Sequence, residues 1–153
     1  MVTGASTGAF VCTYFPNARG GATGWLPQAR LLPMTVDPDP PSAAWVGAWS
    51  TGYGWGRGAD LRLSRAGAEI KVEGTAVFVR DAEAGNVNDG EIVGRARPLR
   101  GVLEITMEDQ LDDCRARLRL IGPYLVVADN GGCGGAWVSF GGVYKRGLPS
   151  RRN

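Results

Sequence analysis

The 153-residue chain contains no histidine, and that absence excludes more chemistry than any motif adds. Without an imidazole there is no Ser-His-Asp or Cys-His catalysis and no ordinary general base near neutral pH. Three cysteines and no histidine cannot assemble the usual zinc ligand sets, so no metal site is expected. Lysine is nearly missing too: Lys71 and Lys145 stand alone among arginines, the pattern of a GC-rich coding sequence. With 17 basic and 15 acidic residues the net charge is only +2, which argues against a nucleic-acid partner. No apolar run approaches the ~20 residues that span a bilayer, so no membrane insertion is expected. Phosphate-binding loop, dinucleotide fingerprint and nucleophile elbow are all lacking, and no cofactor is expected. The opening Met1-Val2-Thr3-Gly4-Ala5-Ser6-Thr7 has neither a charged nor a long apolar signal region. The protein is then either cytosolic or a mature chain whose export signal was removed.

What is present is β-structure. The 24 glycines and nine prolines fall at turns between apolar runs, and no helical or repeat pattern stands out. We divide the chain into an N-terminal β-appendage over 1–34, a Pro-rich linker over 35–44, an antiparallel barrel over 45–146 and a tail over 147–153. Eight strands are expected in the barrel, at 45–50, 59–65, 69–79, 91–97, 102–108, 114–121, 124–129 and 136–145. Period-two alternation supports them: Ile70, Val72, Gly74, Ala76 and Phe78 share one face, and Lys71, Glu73 and Thr75 the other. The fold class is all-β, an eight-stranded antiparallel meander barrel with a short appendage, closed so that few strand edges are exposed.

Arg115, Arg117 and Arg119 alternate with apolar residues and invite a reading as a phosphate stripe. A hairpin of 102–108 with 114–121 instead sets Glu108 against Arg115, Thr106 against Arg117 and Glu104 against Arg119, an ordinary charged solvent face. The Gly122-Pro123 turn fixes the next pairing and places Cys114 opposite residues 130–131, close to Cys133. A Cys114–Cys133 disulfide is therefore allowed. It would close a loop of about 20 residues and contribute roughly 3 kcal/mol by chain entropy. Cys12 is left over, either buried as a small hydrophobe or bonded to a group outside this chain. A disulfide points to an oxidising compartment, periplasmic or secreted.

Candidate site residues are few. A His-free hydrolase needs two carboxyl groups, and Glu91 and Asp129, at strand ends, are the candidates for that alternative. Trp45, Trp49, Tyr53 and Trp55 fall within one Gly-rich stretch. Trp45 and Trp49 share a face, and at least one of them is expected to plug a barrel end. Tyr53 and Trp55 lie in a loop that cannot easily bury them, and flat rings beside glycines suit sugars or apolar ligands. The ligand contacts expected are Trp49, Tyr53 and Trp55.

Two resemblances carry further. The segments 9–15 and 24–32, with Gly24-Trp25-Leu26 ahead of Arg30-Leu31, look like the last strands of a bacterial SH3-like module. Gly47-Ala48-Trp49, Leu61-Arg62-Leu63 and Val72-Glu73-Gly74-Thr75 resemble the opening of a calycin-type barrel, the superfamily of lipocalins and avidins. In such barrels a basic residue near the end, here within Tyr144-Lys145-Arg146, packs on the first-strand Trp. The chain lacks the lipocalin Thr-Asp-Tyr motif and the later Trp-rich strands of avidins, so no family ligand carries over. The stretch from Tyr124 to Tyr144 is similar to bacterial cell-envelope proteins of unknown function. The expectation is a non-catalytic module of the envelope that binds a small apolar or sugar ligand. The alternatives are the carboxylate hydrolase and a protein-binding inhibitor or assembly factor.

Overall fold

The computed structural model describes residues 2–15, 22–32, 36–54, 56–108 and 113–147. Trp55, one of the expected ligand contacts, lies outside the described residues. Strands β1 (Val2–Thr7), β2 (Phe10–Phe15) and β3 (Ala22–Pro27) form a separate three-stranded antiparallel sheet. Among the residues whose burial is described Val11 and Thr13 are buried, and the Thr13 hydroxyl donates to the Gly24 carbonyl at 2.9 Å.

The remaining strands are β4 (Gly47–Ser50), β5 (Arg57–Ala66), β6 (Glu69–Asp81) and β7 (Asn86–Ala96), then β8 (Val102–Met107), β9 (Cys114–Ile121), β10 (Tyr124–Asp129) and β11 (Gly142–Arg146). They lie in one sheet of order β7-β6-β5-β4-β11-β10-β9-β8, every pair antiparallel. The first strand pairs with the last, and the sheet curls into a nearly closed up-and-down barrel with its seam between β7 and β8. At the seam, a Cβ on Gly94 would stand 2.5 Å from Ile105 Cγ2, so glycine lets the two strands approach. The Val93 N–H also meets Met107 Sδ at 3.1 Å.

Alternation decides the inside. On β9 Cys114, Ala116, Leu118 and Leu120 are buried while Arg115, Arg117 and Arg119 are exposed. One apolar cluster takes residues from all eight strands, among them Trp49, Leu61, Val72, Ile92, Ile105, Leu118, Leu125 and Tyr144. The interior is thus occupied by packed side chains, as expected of a barrel of this strand number.

Four expectations need correction. The strand expected at 91–97 is Asn86–Ala96, so Glu91 lies inside a strand and not at its end. The strand expected at 45–50 begins at Gly47, because Ser42–Trp45 forms one helical turn, α1, that brings the fully buried Trp45 over the end of the barrel. The strand expected at 136–145 is only Gly142–Arg146. Val138 and Phe140 keep the alternation and are buried, but the Asp129 carboxylate, rather than a strand, receives the Phe140 N–H. The β8–β9 register is two residues from the expected one: Glu104 faces Arg117, Thr106 faces Arg115 and Val102 faces Arg119. The charged face survives, with Glu104 and Arg117 paired at 3.0 Å.

Candidate functional site

The expected cross-link is formed. Cys114 and Cys133 are bonded, with Cα atoms 4.4 Å apart, and the bond ties the start of β9 to the long loop 130–141. That loop covers the end of the barrel opposite Trp45, inserting Cys133, Val138 and Phe140 into the apolar cluster. Asp129 holds it: its carboxylate accepts from Ser139 Oγ at 3.1 Å, from Gly131 N–H at 3.3 Å and from Phe140 N–H. Asn130 does the same for the other arm, donating to the Asp113 carbonyl at 2.6 Å and accepting from Arg115 N–H at 3.0 Å.

Trp49 is 1% exposed and belongs to the cluster. Its indole N–H donates to the Trp45 carbonyl at 3.0 Å, and the Arg146 guanidinium covers its ring at 4.4 Å. Arg146 in turn donates to the carbonyls of Val46 and Ala44. The ring and its cation close one barrel end, and in this geometry no face of Trp49 is left for a ligand.

Tyr53 is placed differently. It is 48% exposed and lies against the outer face of β5, over Gly58, where a Cβ would come within 2.3 Å of its ring. Its hydroxyl donates to Asp60 Oδ2 at 2.8 Å. Partial burial, then the hydrogen bond to Asp60, then the negative charge of that carboxylate push the phenol up to about 12 from 10.0. Tyr144, buried in the core with its hydroxyl donating to the Phe140 carbonyl at 2.6 Å, is raised well above its ordinary value, first by burial and then by Asp129.

Asp60 borders a shallow, open depression on that same outer face. A pocket of about 510 Å³ is lined by Asp60, Arg62, Glu73, Thr75, Glu91 and Val93, with the backbone of Leu61 and Gly74 as its floor. Register explains the convergence. Asp60 pairs with Thr75 and Thr75 with Glu91, while Arg62 pairs with Glu73 and Glu73 with Val93. Two rows of three outward residues therefore lie side by side across β5, β6 and β7. Gly74 between them faces the core, where a Cβ would stand 2.3 Å from Leu61 Cδ2. Lys71 pairs with Glu73 at 2.7 Å, and Asp60 Oδ1 is buried with no hydrogen-bond partner among the described residues.

The two carboxylates singled out in the sequence are thus not brought together. Glu91 lines this pocket and Asp129 does not; both oxygens of Asp129 are occupied by its own loop. Among the described residues no group of three acidic or cysteine side chains is arranged to hold a metal ion. Sequence reasoning missed Asp60, Arg62, Glu73, Thr75 and Val93 as a group, because only the register of three strands assembles them. It also passed over Trp137, an exposed ring in loop 130–141.

The fold and its outer pocket define a small up-and-down antiparallel barrel with a filled interior and a polar site on its wall. No family profile matches the chain, and comparison with curated proteins and with solved structures found no match either.

Proposed function

We propose that the protein is a non-catalytic binding module of the cell envelope whose ligand is a neutral sugar, taken on the outer wall of the barrel and not in its lumen. The observation that carries this reading is the pocket across β5, β6 and β7 with Tyr53 at its edge. Three carboxylates supply acceptors, while Arg62 and Thr75 supply donors. A polyhydroxylated ring needs both kinds at once. The acidic excess disfavours phosphates and other anions. Val93 and the half-exposed Tyr53 ring offer apolar surface for the C–H face of a sugar. The disulfide fits an exported protein, since such bonds persist in oxidising compartments. The meander topology, Gly47-Ala48-Trp49 on the first strand and Arg146 on Trp49 support the likeness to calycin barrels, without implying their lumenal ligands.

The test is calorimetric titration with soluble glucose and N-acetylglucosamine oligomers. Glu91→Gln and Tyr53→Ala are expected to weaken binding at least about tenfold, the effect of losing one charge-assisted hydrogen bond or one ring contact. Circular dichroism should remain that of the parent. Binding by neither sugar series, or binding that ignores both substitutions, defeats the reading. Product formation during titration would turn it toward the hydrolase.

A further inference from the structure

We infer that Trp137 is a second sugar-stacking position, so that the ligand is a chain of linked sugars and not a single ring; this rests on the binding reading above. The indole is 72% exposed, and its backbone sits at φ 69. Val138 N–H donates to the Gly135 carbonyl at 3.0 Å, which makes Trp137 the third residue of a tight turn. With positive φ at that position alone, the turn is of the type that calls for glycine or asparagine there. Among the described residues the other non-glycine with such a backbone is Arg100, beside Gly101 in the two-residue turn closed by the Leu99–Val102 bridge, where the connection itself demands it. Trp137 has no such excuse. A bulky residue held in a strained conformation, with its side chain in solvent, contributes nothing to packing in return, and such positions concentrate at binding sites.

The surroundings hold the strain in place. The disulfide at Cys133 fixes one arm of the loop, and the Asp129 carboxylate fixes Ser139 and Phe140 on the other. The turn itself is pinned to β7: Asn88 Nδ2 donates to the Ala136 carbonyl at 2.7 Å, and Gly135 N–H donates to the Asp89 carbonyl at 3.2 Å. The ring is presented on a rigid support, which lowers the entropic cost of binding.

Chemistry and position choose the ligand. A protein anchor sits in a broad apolar patch that excludes water around it. Trp137 is flanked instead by Ala136 and the core-facing Val138, with Gly135 and Ser139 beyond, and its turn is hydrogen-bonded to the strand segment that carries Asn88 and Asp89. One isolated aromatic face among small and polar groups matches a sugar, whose C–H face stacks while its rim of hydroxyls stays hydrated or hydrogen-bonded. Asp89, which anchors the turn, lies two residues from Glu91 of the pocket, roughly 7 Å along β7. The loop meets β7 from the core side, where Gly90 faces Cys133 and Val138, so a linked chain seated in the outer pocket would pass over the end of β7 to reach the indole.

The test uses mono- to hexasaccharides of glucose and N-acetylglucosamine against the full chain, Trp137→Gly and Glu91→Gln. The parent is expected to bind the longest chain about tenfold more tightly than the disaccharide, a gain of one ring contact. Trp137→Gly should lose that gain, keep its disaccharide affinity and unfold at the same temperature as the parent or a few degrees higher, because glycine relieves the turn. Glu91→Gln should weaken every length. If Trp137→Gly keeps the length dependence, or melts below the parent, the indole is structural and the inference is overturned while the pocket stands. If the parent binds no length of either series, both fall.

Discussion

Tyr53 and Gly58 are one device. The ring can lie on β5 only because residue 58 has no side chain, and in that position its hydroxyl reaches Asp60. The same contact makes stability depend on alkaline pH. The folded protein holds the Tyr53 proton up to about 12, while the unfolded chain releases it near 10.0. Between those values the native state binds more protons, so its stabilising effect is complete below the lower value and is lost as pH rises toward the upper one. Tyr144 acts in the same direction. Denaturant midpoints followed through this range should fall for the parent and fall less for Tyr53→Phe. Equal falls in the two proteins would show that Tyr53 is not responsible.

Loop 130–141 behaves as an element although it contains no strand. Its backbone donors at Gly131 and Phe140 are met by the Asp129 side chain, and its apolar residues reach the core. The disulfide joins residues 19 apart, so it constrains mainly the unfolded chain, by roughly 3 kcal/mol on the chain-entropy view. The double substitution Cys114→Ser, Cys133→Ser is expected to lower stability by about that amount and shift the thermal midpoint by several degrees. Scanning calorimetry of the parent with and without reductant should give the same difference. A change under about 0.5 kcal/mol would mean that Asp129 and Asn130 hold the loop without the bond. The neighbouring arginine stripe is a covered solvent face, and its exposed Glu104–Arg117 pair contributes little to stability.

Closure belongs to the whole molecule. Arg146 at the end of β11 reaches back 100 residues to Val46 and 102 to Ala44 while stacking on Trp49, so it joins the last strand to the entry of the first. Arg146→Ala removes a cation–aromatic contact and two charge-assisted hydrogen bonds, and is expected to lower unfolding free energy by about 2–3 kcal/mol. Urea titration measures it; a loss below about 0.5 kcal/mol would show that the strand ladder alone closes the barrel.

The amino-acid sequence by itself determined the strands and their faces. Alternation along Ile70, Val72, Ala76 or Cys114, Ala116, Leu118 reports burial directly, because successive side chains on a strand point to opposite sides. The short Gly122-Pro123 turn also fixed the β9–β10 register and hence the disulfide. Where alternation is produced by other means it misled: Val138 and Phe140 are buried in a loop, not in a strand. The Arg stripe slipped by two residues because its hairpin is joined by a longer connection that leaves register free. Tertiary structure alone decided the site. Asp60, Glu73 and Glu91 lie on different strands, and only lateral pairing sets them around one pocket. It also decided that Trp49 is core and Trp137 is solvent-facing, since both are tryptophans beside small residues. Their difference lies in a backbone torsion and in which end of the barrel each one reaches.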